Sequence, residues 1–182
     1  MSPIPSRVAA GALSVALLVP IPVRAQEAPG SGSVVGTPAS RVRALDAMAR
    51  RALDLGMQRS PTLARMVADL QQTDLVVTIQ ATCLPKLVRG DARVVAAAGT
   101  VRHVRIRLGV PAATSDLVAV LGHELRHALE LAAMPEIRDG STLARAYARI
   151  GIPLKGNGYW ETAAALEAGE TVARELKACK KR

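Results

Sequence analysis

Apolar residues recur along this chain with two different periods. From Ser40, the positions Val42, Leu45, Met48, Ala52 and Leu55 follow helical spacing, and Gly56 supplies a stop. Ser60-Pro61 then sets a cap residue before a proline at the first helical position. Leu63, Met66, Val67 and Leu70 form one face of that second helix. From Asp74 to Ala81 the pattern turns to the β-branched residues Val76, Val77, Thr78 and Ile79, which read as a strand. Arg93–Ala97 and Val101–Leu108 flank Gly99-Thr100 as the arms of a hairpin. In the second arm Val104, Ile106 and Leu108 face one way and His103, Arg105 and Arg107 the other, so one side is expected to be buried and the other wet.

Pro111 ends the hairpin. Thr114-Ser115-Asp116 offers capping chemistry for a long helix reaching Met134. A shorter helix follows near Ser141–Ile150, and a loop rich in Gly and Pro leads into a last helix over Tyr159–Lys177. The expected fold is α+β, a small antiparallel sheet of about three strands packed by about five helices. It forms one domain over residues 39–182.

The pattern before Ser40 is of another kind. Arg7 precedes the apolar run Val8–Val19, which Pro20 and Pro22 break, and Val23-Arg24-Ala25 places small residues at the −3 and −1 positions of a cleavage site. Residues 1–25 are therefore expected to be an export signal, and the Gly-, Ser- and Pro-rich residues 26–38 a flexible leader. The run is too short to span a bilayer, and no other stretch is long enough. The mature chain is expected in the periplasm or secreted, with no membrane span; an uncleaved anchor is the alternative. In an oxidising compartment Cys83 and Cys179 could pair, or stay as two buried thiols.

Charge changes the picture little. The net charge is +9, and losing Arg7 and Arg24 with the signal leaves +7. A basic chain invites the thought of nucleic acid, but with no Phe, one Trp and two Tyr there is little for bases to stack on. The arginines are scattered, with Arg41, Arg43, Arg50, Arg51 and Arg59 on one segment and Arg102, Arg105 and Arg107 on another. They read as solvated faces, and no nucleic-acid partner is expected.

The chemistry concentrates in His123-Glu124-Leu125-Arg126-His127. Two of the chain's three histidines stand four residues apart, so on a helix they share a face one turn apart. Imidazoles so placed can bind one Zn²⁺, and Glu124 beside them can take a proton from water that the metal has acidified. Val118, Leu121, Leu125, Ala128, Leu129 and Ala132 make the rest a core helix.

The segment Leu121–Ala128, with the strand Val101–Leu108 ahead of it, resembles the zincin metallopeptidases. The resemblance implies hydrolysis of a peptide or protein substrate by a monomer, Glu124 as general base, an edge strand receiving extended substrate, and a third protein ligand from downstream. The metzincin pattern would need His at position 133, which is Ala. The gluzincin pattern takes a Glu from a later helix, where Glu161, Glu167 and Glu170 are candidates. On a regular helix Glu161 shares the apolar face with Ala165, Ala168, Val172 and Cys179, while Glu170 falls among Glu167, Thr171 and Arg174. Glu161 is the expected ligand; a first-turn Glu favoured by the helix dipole is its plainer reading. The gluzincin position four residues on is Ala165, which offers no supporting acid.

Glu130 lies on the same stripe as both histidines. It can accept an imidazole N–H and fix the tautomer, serve as a ligand itself, or be an ordinary solvated acid. Tyr159, next to the Trp160-Glu161 pair, could donate to an oxyanion or simply pack. Tyr147 and His103 are weaker candidates. The rival to a zinc peptidase is a catalytically silent metal-binding envelope protein that serves as a structural or partner-binding scaffold.

Overall fold

The computed structural model describes residues 40–85, 88–153 and 160–178. The expected signal and leader, Tyr159 and Cys179 lie outside them, and with Cys179 the disulfide question. Cys83 is exposed, which is not the buried thiol of the alternative.

Strand β2 (Leu75–Thr82) arises where the β-branched run begins, with Leu75, Val77 and Ile79 buried on one face. On one side of it lies the short parallel strand β1 (Val42–Ala44). On the other lies β4 (Val101–Gly109), also parallel, and β3 (Gly90–Ala98) returns antiparallel to β4 through the hairpin at Gly99, whose φ is +55°. The order is β1-β2-β4-β3. The α+β class stands, and the expected hairpin is present. The sheet has four strands and mixed pairing, because β1 and β2 each find a parallel neighbour. Val101–Leu108 is thus an interior strand, and β3 is the edge beside it.

Val42 and Leu45 fit a helical period, but Val42-Arg43-Ala44 alternates buried, exposed, buried, and the sheet takes it. Helix α1 (Ala47–Arg59) starts later. Asp46 caps it by accepting the N–H groups of Met48 and Ala49 at 3.0 and 2.9 Å, and also accepts Ala81 N–H at 2.8 Å, tying the helix to β2. Gly56 is no stop but a contact point. A Cβ there would lie 2.6 Å from Leu63 Cδ1 and 3.1 Å from Val118 Cγ1, so only Gly lets α1 approach so closely. The break falls at Ser60, which caps α2 (Pro61–Leu70) as its sequence predicts; Leu63, Met66, Val67 and Leu70 are buried.

Helix α3 (Thr114–Ala132) lies against β3 and β4 and is flanked by α1, α2 and α5 (Ala163–Ala178). Its N-cap is Ala113, without a side-chain hydrogen bond, so Thr114-Ser115-Asp116 forms its first turn instead of capping it. Leu117, Val118, Leu121, Leu125, Ala128 and Leu131 carry its buried face. Helix α4 (Gly140–Ile150) begins at a capping box on Asp139. A two-stranded ribbon, β5 (Ile152–Pro153) with β6 (Trp160–Glu161), leads into α5. Where α3 crosses α5 a Cβ on Gly122 would meet Val172 Cγ2 at 2.6 Å, and one on Gly169 would meet His123 Cβ at 3.2 Å. No helix among the described residues is long and apolar enough to cross a membrane.

Arg102 corrects the reading of the arginines as solvated. It shares a face of β4 with Val104, Ile106 and Leu108 and is fully buried. Its guanidinium donates to Asp74 at 2.6 and 2.8 Å and to the carbonyls of Leu131, Met134 and Ile137 at 2.9, 2.8 and 3.1 Å. The last turn of α3 has no basic residue of its own, and Arg102 supplies the positive charge its carbonyls favour. Arg102→Met is expected to destabilise the fold by about 3 kcal/mol, because it strips partners from several carbonyls and one carboxylate. Arg105→Met, at an exposed position, should change stability by less than about 0.5 kcal/mol in the same denaturant titration. Arg102 hydrogen-bonds Asp74 and holds its carboxyl below the ordinary 3.8. That contribution is present above pH 3.8 and is lost as pH falls through the depressed value.

Candidate metal centre

The four-residue spacing on α3 brings the rings of His123 and His127 to 4.9 Å between centroids. Both turn Nε2 toward one oxygen, Oε1 of Glu161, at 3.0 and 3.1 Å. The three ligand atoms lie within 4.8 Å of one another. The expected trio therefore comes together, but Glu161 does not head the last helix. It lies in β6, extended. Helix α5 begins at Ala163 because Thr162 is its cap: Thr162 Oγ1 accepts Ala165 N–H at 3.1 Å, and its carbonyl accepts Leu166 N–H at 3.1 Å. Glu167 and Glu170 are exposed on α5, as their polar face predicts.

Glu130 stands behind the histidines, one turn on from His127. Its Oε2 accepts from His127 Nδ1 at 3.0 Å and from the Tyr147 hydroxyl at 3.0 Å, and its Oε1 accepts from the Thr162 hydroxyl at 2.7 Å. Among its three expected roles, these contacts match that of an acceptor for the imidazole N–H. Nδ1 facing Glu130 carries a proton, an assignment set by the network, and Nε2 faces Glu161. Thr162 N–H adds a hydrogen bond to Glu161 Oε1 at 3.1 Å.

His127 and the carboxylates of the group shift one another's titration. Burial lowers the affinity of His127 for a proton, but the hydrogen bonds to Glu130 and Glu161 outweigh it and raise its pKa to about 9. Burial likewise works against ionised Glu161, yet the two histidines hold its carboxyl down at about 2. Glu130 is lowered in the same way by His127 and Thr162 against the effect of burial. Burial and the neighbouring Glu130 carboxylate push the Tyr147 phenol up. With Nδ1 protonated, Nε2 of a neutral His127 faces a second acceptor, Glu161 Oε1; such a pair must share a proton or a metal. Two imidazoles and a carboxylate, with a further carboxylate behind His127, make a group that could hold a metal ion.

Glu124 is buried at 4% exposure, and burial pushes its carboxyl up to about 7, with His123 and His127 opposing and Asp91 assisting. Asp91 is itself buried in β3, where Arg107 and Arg93 pair with it. The space for Glu124 exists because its neighbour on β3 is Gly90: a Cβ there would lie 2.7 Å from Glu124 Oε1 and 2.6 Å from Val120 Cγ1. Gly90→Ala is expected to displace the Glu124 carboxylate and to destabilise the fold by about 1–3 kcal/mol in a denaturant titration.

Sequence reasoning did not single out Thr162 or Gly90, and it ranked Tyr147 below Tyr159. The signal for Thr162 was present in a Thr directly before an Ala-rich run, the place of an N-cap. Tyr147 shares the apolar face of α4 with Leu143 and Ala146, a position that reads as packing until Glu130 is found beside it. Tyr147 is indeed buried, and its hydroxyl is engaged by Glu130. No protein-family model, curated protein or solved structure matches this chain.

Proposed function

We propose that this chain is a zinc-dependent hydrolase of the zincin kind, a peptidase in which His123, His127 and Glu161 hold the metal and Glu124 is the general base. The observation that carries the reading is the meeting of two Nε2 atoms from adjacent turns of α3 on a single carboxylate oxygen from β6. Zinc bound there supplies Lewis acidity, which makes water a stronger acid and a carbonyl a better electrophile. Glu124, with its carboxyl near 7, is poised to accept a proton from the attacking water near neutral pH and to pass it to the leaving amine. Glu130 retains the Nδ1 proton of His127 and keeps that ring aimed. The substrate is a peptide or protein met outside the cytoplasm, in keeping with the leader-like residues 1–25.

Purified protein dialysed against zinc is expected to retain about one ion per chain in elemental analysis. It should cleave an unfolded protein substrate, stop on addition of a chelator, and recover with zinc. A chain that retains no zinc ends this reading. One that holds zinc but cleaves nothing favours the silent scaffold.

A further inference from the structure

Thr162 touches three separate parts of the site. Its backbone N–H donates to Glu161 Oε1 at 3.1 Å, and its hydroxyl donates to Glu130 Oε1 at 2.7 Å. The same hydroxyl oxygen accepts Ala165 N–H at 3.1 Å and so closes the first turn of α5. Thr162 is buried, at 8% exposure. Its hydroxyl has one proton to give, and the cap takes a lone pair, so the proton is committed to Glu130. Glu130 in turn meets His127 Nδ1 through its other oxygen.

We propose that Thr162 is a positioning residue for the metal ligands, coupling the docking of α5 to the orientation of His127 by way of Glu130. The proposal rests on the metal-binding reading above. Glu130 is half-way along the chain of contacts: pulled by Thr162 on one oxygen and braced by Tyr147 on the other, it has one orientation in which it meets Nδ1. Loss of the Thr162 proton leaves Oε1 with only the longer contact to Arg126 Nε at 3.8 Å, so the carboxylate that meets Nδ1 is held less firmly. The same residue sets Glu161 beside it in the extended stretch, so one side chain and its own backbone regulate ligands from α3 and β6 together.

The test is metal affinity, read with cobalt as a spectroscopic probe and zinc by competition, on the full-length chain and without any substrate. Thr162→Val keeps the shape and removes the hydroxyl; it is expected to weaken binding by about 10- to 100-fold and to alter the cobalt absorption bands. Thr162→Ser restores both, since it keeps the proton and the cap. Thr162→Ala repeats the truncation should the Val variant fold poorly. A cap alone would cost stability equally whatever stands at position 130, so the decisive comparison is in a Glu130→Gln background. There Thr162→Val should cause less than about a threefold further loss, because the coupling it disrupts is already gone. Wild-type affinity and bands in Thr162→Val, or an undiminished loss in the Glu130→Gln background, overturn the proposal and leave the metal site standing. A wild-type chain that binds neither cobalt nor zinc overturns both.

Discussion

Glu124→Gln is expected to bind zinc as the wild type does, to melt within a few degrees of it, and to hydrolyse peptide substrate about 10²–10⁴-fold more slowly. The amide matches the carboxylate in shape, so the space beside Gly90 still holds it. It cannot accept a proton, so the proposed base is lost. Stability favours the same outcome: the buried carboxyl is already expensive to ionise, which is why burial pushes it up to about 7, and a neutral amide removes that expense. Steady-state kinetics with metal analysis on the same sample separates the two effects. Turnover equal to wild type would remove Glu124 from the reaction and turn the reading toward the silent scaffold.

Glu161→Ala is expected to weaken zinc by more than about 100-fold, beyond what loss of a supporting hydrogen bond causes. Both histidine Nε2 atoms point at its Oε1, so the variant leaves two imidazoles and removes the charged donor. Glu167→Ala and Glu170→Ala are the controls, exposed on α5 and expected to stay within about twofold of wild type. Isothermal titration with zinc gives all three constants. Wild-type affinity in Glu161→Ala would dismiss the gluzincin arrangement, and Glu130 would become the carboxylate to examine.

The histidine pair was legible because helical geometry follows from spacing alone, and an α-helix leaves positions 123 and 127 nowhere to go but the same face. Glu161 was reached by an argument about the wrong element. A helical wheel gave it an apolar face, whereas the chain is extended there and Thr162 starts the helix. The choice still named the acid that meets both histidines, since Glu167 and Glu170 lie on a regular helix where the wheel applies. Strand β1 was hidden because Val42 and Leu45 satisfy a helical period, and only a partner such as β2 reveals that three residues belong to a sheet. Arg102 was hidden for the same kind of reason. Alternation marked its face as inward, but the acceptors that make a buried guanidinium tolerable come from Asp74 and from the far end of α3, remote in sequence.

A helix usually opens from its ends, where hydrogen bonds are fewest. The C-terminal end of α3 is the one nearer His127 and Glu130, and there Arg102 reaches from the middle of the sheet to gather the carbonyls of Leu131, Ala132, Met134 and Ile137. Unwinding that end therefore means parting the helix from β4 as well, a cooperative event and not a local fluctuation. His123 and His127 sit on the helix whose last turn is tied to the sheet in this way, so opening that end disturbs β4 as well.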